Sequence, residues 1–245
     1  MRRETQNLLL LLVGGAIVRT ALDGSYLRYV KPGLFPFLLI SGAGFVLLAV
    51  VSIVRDIRRS GISRHHEHGR AHWLLLAPAA ALLFITPPAL GAGAVTTSSR
   101  VQVSASAADE PAARPFPPLL PEPAPTLTIY DLVNRSLYDS THSLDGREIT
   151  ISGFVLDPAS DNRPRQGDSA VDLARVLITC CVADAQYISV HLSGIDEPVA
   201  PDTWLRVEGT VEPGSAARDS GKVPTVRVTG FRPIPAPDHG YEHTY

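Results

Sequence analysis

Two adjacent cysteines, Cys180 and Cys181, are the residues of this chain whose type and spacing most directly indicate chemistry, and the chain has no other cysteine. Two neighbouring thiolates suit a soft or borderline divalent metal ion. Asp184 and His191 follow them in the sequence and are the further ligands that we predict for such a site. Adjacent thiols do not fit the C-x2–4-C spacing of a structural zinc site, so a structural zinc is not predicted here.

The same cysteine pair has two other interpretations, and the sequence leaves all three open. A disulfide between Cys180 and Cys181 would be strained, because their Cα atoms are only ~3.8 Å apart across a trans peptide and most disulfides need ~4.4–6.8 Å. Strained disulfides are easily reduced, which suits a redox switch. Alternatively, the pair is buried at a strand end, since free cysteine packs as a small apolar residue.

A second group of candidate metal ligands consists of histidines. His65, His66, His68 and His72 lie close together with Glu67, and imidazoles at this density could bind Zn²⁺, Ni²⁺ or Cu²⁺. The alternative is a solvated basic loop without bound metal. The sequence contains no Ser-His-Asp elbow, P-loop or HExxH motif, and we therefore predict that the protein is not an enzyme.

Three apolar runs precede these residues and predict membrane-spanning helices over Leu8–Leu22, Leu34–Val54 and Trp73–Val95. About 20 apolar residues suffice to cross a bilayer core of ~30 Å, and the second run is free of charge over that length. The basic start of the first run also describes a secretory signal peptide. No small-x-small cleavage site follows the run, which favours an uncleaved helix.

The charge distribution predicts how the chain is oriented in the membrane. Residues 1–95 carry ten Lys/Arg against four Asp/Glu, a net charge of +6, and residues 96–245 carry twelve against twenty, a net charge of −8. Arginines concentrate at the N-terminus and between the second and third spans. The positive-inside rule therefore makes the N-terminus cytoplasmic and, with three spans, the C-terminal part extracytoplasmic. Its acidic balance argues against nucleic acid as a partner.

The part after the spans predicts a linker and a small β domain. Residues 96–125 are rich in Ser, Ala and Pro and indicate a spacer, residues 126–235 a folded domain, and residues 236–245 a tail. A helix is predicted over Thr128–Ser140. Alternating or β-branched patterns predict strands over Glu148–Val155, Ala174–Ile178, Gln186–Leu192, Thr203–Val211 and Thr225–Phe231. Short strands with one helix favour a mainly β barrel of the oligonucleotide/oligosaccharide-binding (OB) type, with a sandwich as the alternative.

The strand segment Gly146–Val155 and the cysteine segment Arg175–Ala185, together with the apolar spans, give the chain a family resemblance. It resembles the DUF1980 family of bacterial membrane proteins, also described as permease subunits. The resemblance implies a multi-span permease as partner and hence a two-component transporter. Three spans are too few to form a transport path alone, because such paths lie between repeated bundles.

We therefore expect an integral, multi-pass protein of the cell membrane that serves as an accessory subunit of a two-component permease. Its outer domain would bind a metal or another small ion at Cys180 and Cys181, or the redox state of the thiols would gate the partner. The alternative is a stand-alone envelope protein, either a thiol-redox or metal sensor or a structural component, without a role in transport.

Overall fold

A computed structural model describes residues 3–59, 113–156, 171–237 and 240–243. The chain divides into two compact units, Met1–Pro88 and Ala89–Tyr245, and each is described by itself. The predicted third span, Trp73–Val95, lies outside the described residues, as do the histidines of the candidate cluster, His65, His66, His68 and His72.

The first unit contains two antiparallel helices, α1 (Arg3–Leu22) and α2 (Phe35–Arg59), which pack along each other. Both cover apolar runs that the sequence predicted as spans. Among the described residues, one helical segment, Pro32–Arg58, is long and apolar enough to cross a membrane, with a mean hydropathy of 2.7. The apolar part of α1, Gln6–Leu22, is shorter. One membrane-crossing helix is thus supported, whereas the prediction of about three spans is not confirmed.

Glycines bring α1 and α2 into close contact. A Cβ atom placed on Gly14 would lie 2.9 Å from the carbonyl oxygen of Gly42, and one on Gly42 would lie 2.9 Å from the side chain of Val18. Small residues at such positions let two helix backbones approach, which is the main source of helix association in lipid. At one end of the hairpin, the side-chain amide of Asn7 donates a 3.2 Å hydrogen bond to Asp56.

Replacing Gly42 by leucine is expected to separate the two helices, because the larger side chain has no space against α1. Cysteines introduced by Asn7→Cys and Asp56→Cys, in a background without Cys180 and Cys181, should be linked by a short bis-maleimide in membranes. Adding Gly42→Leu should reduce the linked fraction severalfold. Gly44→Leu is the matched control, since nothing lies within 4 Å of its added Cβ; equal linking in both variants would contradict this packing.

The second unit is built from short strands and helices. The helix and the five strands that the sequence predicted are present, one strand beginning three residues earlier than predicted, whereas a short second helix and a sixth strand were not predicted. Helix α3 (Ile129–Tyr138) is followed by β1 (Glu148–Val155), β2 (Val171–Ile178), β3 (Gln186–Ser193), β4 (Trp204–Val211), α4 (Ser215–Arg218), β5 (Thr225–Pro233) and β6 (Tyr241–His243). Thr128 caps α3, and its hydroxyl accepts a 3.0 Å hydrogen bond from the backbone N–H of Asp131.

The first five strands close into a barrel. Strand β1 pairs with β4, β4 with β5, β5 with β3, β3 with β2, and β2 returns to β1. All of these pairs are antiparallel except β3–β5, which is parallel. This order is the Greek-key closure of an OB-type barrel, so the prediction of a small mainly β, OB-like barrel with a helix is confirmed.

One glycine in β1 is explained by the barrel closure. At Gly153, β1 approaches β2 so closely that an added Cβ would lie 2.6 Å from the carbonyl oxygen of Ala174. This contact accounts for glycine within a strand that otherwise alternates β-branched and polar residues. Inside the barrel, apolar side chains form a core that includes Ile149, Ile151, Leu173, Val190, Leu205 and Val207, with Ile129 and Leu132 of α3 packed against it.

Two segments outside the barrel differ from their predicted roles. The end of the predicted spacer, residues 113–125, lies along the folded C-terminal domain: Arg135 donates to the carbonyl of Pro117 (2.8 Å) and Arg147 to that of Leu120 (3.1 Å). The predicted tail likewise forms β6, which pairs in parallel with β2. The spacer and the tail were predicted wrongly for the same reason, because contacts with distant backbone or side chains leave no local sequence pattern.

Candidate functional site

The cysteine pair lies in the connection between β2 and β3. Strand β2 ends at Ile178, the chain then passes through Cys180 and Cys181, and a single 3₁₀ turn over Val182–Asp184 leads into β3. Both cysteines are free thiols; Cys180 is exposed and Cys181 is half-buried. The pair is therefore at the surface of the barrel, and the interpretation as a buried apolar pair does not fit this position.

Asp184 holds the connection in place. One of its carboxylate oxygens accepts the backbone N–H of Thr179 at 2.9 Å, and the other accepts those of Cys180 at 2.8 Å and Cys181 at 3.3 Å. In return, the side chain of Cys181 accepts from the backbone N–H of Asp184, so the turn is closed by a reciprocal cap. The aspartate thus fixes the direction of the chain at both thiols.

The side chains of Cys180, Cys181 and Asp184 converge. The two sulfur atoms and a carboxylate oxygen lie within 4.8 Å of one another. Two sulfurs on one zinc-like ion, at ~2.3 Å each, are separated by at most ~4.6 Å, and the 4.8 Å bound on the observed separations is close to that limit. The described residues thus bring together three of the four ligands predicted from the sequence, in a site that is open to solvent on the side of Cys180.

The carboxylate of Asp184 and the thiol of Cys180 shift each other's pKa. The hydrogen bond to Asp184, followed by contact with Cys181, raises the pKa of the Cys180 thiol to about 11. Slight desolvation raises the pKa of Asp184, but the hydrogen bonds from Cys180 and from the three backbone N–H groups outweigh it and lower this pKa to about 2. At neutral pH, the carboxylate is therefore ionised, and Cys180 carries its proton.

Replacing Asp184 by asparagine is expected to speed the alkylation of Cys180. Removing the negative charge lowers the pKa of this thiol towards its ordinary value, so at pH 8 the reactive thiolate increases, and the rate with iodoacetamide should rise by about tenfold. Peptide mass spectrometry over time would give the rate at each cysteine. Asp196→Asn in the exposed loop after β3 is the control. An unchanged or slower rate in Asp184→Asn would contradict the proposed influence of the carboxylate.

His191, the fourth predicted ligand, lies elsewhere. It sits near the end of β3 opposite Asp172 of β2, about 20 Å along the strands from the thiols. Its Nδ1 is 2.6 Å from the carboxylate of Asp172, and its Nε2 is 3.6 Å from that of Asp219, which follows α4. The structure therefore removes His191 from the cysteine site and makes it a link between the barrel and the β4–β5 connection.

The link predicts a pH dependence of stability. Burial lowers the pKa of His191, but Asp172 and Asp219 together raise it above the ordinary value. The stabilisation is therefore fully present below the unfolded pKa of ~6.5 and is lost as the pH rises through the higher folded value. His191→Gln should lower the free energy of unfolding more at pH 6 than at pH 9. A loss of unfolding free energy that is equal at pH 6 and pH 9, or larger at pH 9, would contradict the ion pair. His142→Gln, on an exposed turn, is the control.

Comparisons with known proteins support the family assignment of the C-terminal domain. Residues 128–244 match the family model described as the DUF1980 C-terminal domain, which confirms the resemblance seen in the strand and cysteine segments. One solved structure similar to the chain is described as the crystal structure of the S. pombe Stn1-ten1 complex. It is 17% identical and matches over 49% of this chain and 86% of that chain, with a TM-score of 0.25. No curated protein matches the sequence.

Proposed function

From an outer domain that matches the DUF1980 C-terminal domain, we propose that the protein is an integral membrane accessory subunit of a two-component permease. In this proposal, the outer domain binds a thiophilic metal ion at Cys180, Cys181 and Asp184 and transfers it to or from a multi-span partner. The observation that carries the proposal is the convergence of two thiols and a carboxylate within 4.8 Å on an exposed connection.

The N-terminal unit supports an attachment to the lipid bilayer. The segment Pro32–Arg58 has the length and hydropathy of a membrane-spanning helix, and its close packing against α1 is of the kind found in lipid. The arginine-rich ends of the apolar runs orient the N-terminus to the cytoplasm, and a third span over Trp73–Val95 would make the protein multi-pass and the outer domain extracytoplasmic.

The donor set supports a soft or borderline metal ion as the cargo. Thiolates prefer Cu⁺ and Zn²⁺ over Mg²⁺ and Ca²⁺, which are bound by oxygen ligands. Because the site offers three ligands and Cys180 is exposed, a fourth position remains open to water or to a partner's side chain. An open position is characteristic of sites that exchange a ligand, whereas structural zinc sites are closed by four protein ligands.

The size of the described helical hairpin supports an accessory role. A hairpin of two helices cannot enclose a path for an ion, because transport sites lie between larger, repeated helix bundles. A surface site on an outer domain can instead collect an ion and present it to such a bundle. An outer domain that collects the ion and a helix bundle that transports it require a permease as partner, in agreement with the family resemblance.

The second candidate function is a stand-alone envelope thiol-redox protein or metal sensor. The observation in its favour is that both thiols are free and adjacent, with Cys180 exposed to oxidants. Its chemistry would need a reactive thiolate, however, and the hydrogen bond to Asp184 keeps Cys180 protonated at neutral pH. A transport phenotype separates the two functions, because a sensor or redox protein would leave metal flux through the membrane unchanged.

The proposal is tested by measuring Cu⁺ and Zn²⁺ flux in cells that lack the gene and are complemented with variants. The wild-type chain should restore flux, and Cys180→Ser/Cys181→Ser should restore none while reaching the membrane in equal amount. Ala183→Ser, which adds a hydroxyl on the same connection without removing a ligand, is the matched control. Wild-type flux in the double variant would rule out the thiols, and flux unaffected by loss of the gene would rule out the transport role.

A further inference from the structure

We propose a binding site for a phosphate group on the outer face of β4 and β5, between Arg206 and Arg232. The proposal goes beyond the permease function and is independent of the cysteine site. It starts from the strand register, in which Arg206 lies directly opposite Arg232 on the antiparallel pair. Side chains opposite each other in this way have Cβ atoms about 5 Å apart, and two like charges at that distance destabilise the sheet.

Among the described residues, Glu208 in the lining of the same cleft offsets only one of these two charges. Both arginines are exposed, and neither guanidinium makes a hydrogen bond or ion pair to another described residue. Other arginines of the same domain differ: Arg135 binds Asp131, Arg227 binds Glu212, and Arg147 binds backbone carbonyls. Two unmatched cations on facing positions, in a half of the chain with a net charge of −8, point to an anionic ligand.

The two arginines also flank a cleft. It has a volume of about 230 Å³ and is lined by Arg206, Glu208, Gly230, Phe231 and Arg232. Gly230 leaves its floor open, since nothing lies within 4 Å of a Cβ atom added there. Phe231, 36% exposed, is also among the lining residues. The cleft thus offers space between the guanidinium groups for a small ligand.

The geometry favours a phosphate over a carboxylate. A guanidinium group donates two parallel hydrogen bonds to one edge of an oxyanion. A planar carboxylate presents one such edge, whereas a tetrahedral phosphate presents several and can accept from both arginines at once. Glu208 reduces the net charge of the lining to +1, which suits the single charge of a phosphodiester or a singly protonated phosphate. The group could belong to a lipid headgroup or to a free phosphate.

Titration of the full-length protein with inorganic phosphate, followed by calorimetry, tests the site. The protein is held in dodecyl maltoside, a detergent without phosphate. Saturable binding is expected, and Arg206→Gln/Arg232→Gln should weaken it by about tenfold or more. Arg227→Gln is the matched control, because this exposed arginine of β5 is already paired with Glu212 and its loss should change binding by less than about twofold.

The same titration in phosphatidylglycerol nanodiscs distinguishes the two sources. If the lipid headgroup is the natural ligand, it occupies the cleft and added phosphate binds more weakly than in maltoside. If free phosphate is the ligand, the affinity is the same in both. Both results support the site. Absence of saturable binding in maltoside, or equal binding by wild type and by Arg206→Gln/Arg232→Gln, would overturn it and leave this face to a protein partner.

Discussion

Replacing Cys180 and Cys181 together by serine is expected to weaken the binding of Cu⁺ by about 100-fold or more. The serine hydroxyl is a poor, hard ligand that keeps its proton at neutral pH, so Asp184 alone would remain as an ionised donor of the site. Competition of the full-length protein with a chromophoric Cu⁺ chelator would measure the affinity. Each single variant should show an intermediate loss, because one thiol remains.

The controls of this experiment separate loss of a ligand from loss of structure. Ala183→Ser should bind Cu⁺ as the wild type does, since it changes the same connection without removing a donor atom. Asp184→Asn should bind more weakly than wild type, because it removes the carboxylate and leaves both thiols. Wild-type affinity in the double cysteine variant would show that the metal binds elsewhere in the chain.

Replacing Glu242 by glutamine is expected to lower the free energy of unfolding of the outer domain by about 3–5 kcal/mol. Glu242 of β6 is 5% exposed and accepts the backbone N–H groups of Ile129 (2.9 Å) and Tyr130 (2.8 Å) at the start of α3. It also faces Arg175, whose Nε lies 3.5 Å away and whose guanidinium stacks on Trp204. Glutamine would leave this buried cation without its counter-charge.

Urea unfolding followed by the fluorescence of Trp204 would measure this effect, in a Trp73→Phe background so that one tryptophan reports. Trp204 is a suitable reporter because it contacts Arg175 directly. Glu148→Gln is the control: this carboxylate accepts an exposed hydrogen bond from the hydroxyl of Thr229, and its loss should cost less than about 1 kcal/mol. Equal destabilisation by the two substitutions would show that the pair with Arg175 is not a main contribution.

The barrel could be predicted because each of its strands carries a local pattern. The predicted strand Glu148–Val155 coincides with β1, because its β-branched Ile149 and Ile151 alternate with polar residues and enter the barrel core. Thr128 similarly marked the start of α3 by its capping hydroxyl. Strand β6 carries no such pattern. Its three residues are held by pairing with β2 and by the contact of Glu242 with α3, which depend on distant parts of the chain.

The candidate site was predictable in part for the same reason. Cys180, Cys181 and Asp184 lie within one short connection, so neighbours in sequence are also neighbours in space. His191 was placed with them only by its distance in sequence. Since β3 runs from Gln186 to Ser193, a histidine near its end is carried to the far end of the barrel wall. Asp172 and Asp219, its actual partners, come from two other elements and could not be identified from spacing.

Native mass spectrometry of the full-length protein, gently solubilised from its own membrane, tests the central claim most directly. The proposed function predicts a complex with a multi-span membrane protein and a bound metal ion, and the mass of that ion should be missing in Cys180→Ser/Cys181→Ser. Recovery of the chain without partner or metal, and lighter by the two hydrogens lost in a disulfide between Cys180 and Cys181, would contradict the account and favour a redox role for the thiol pair.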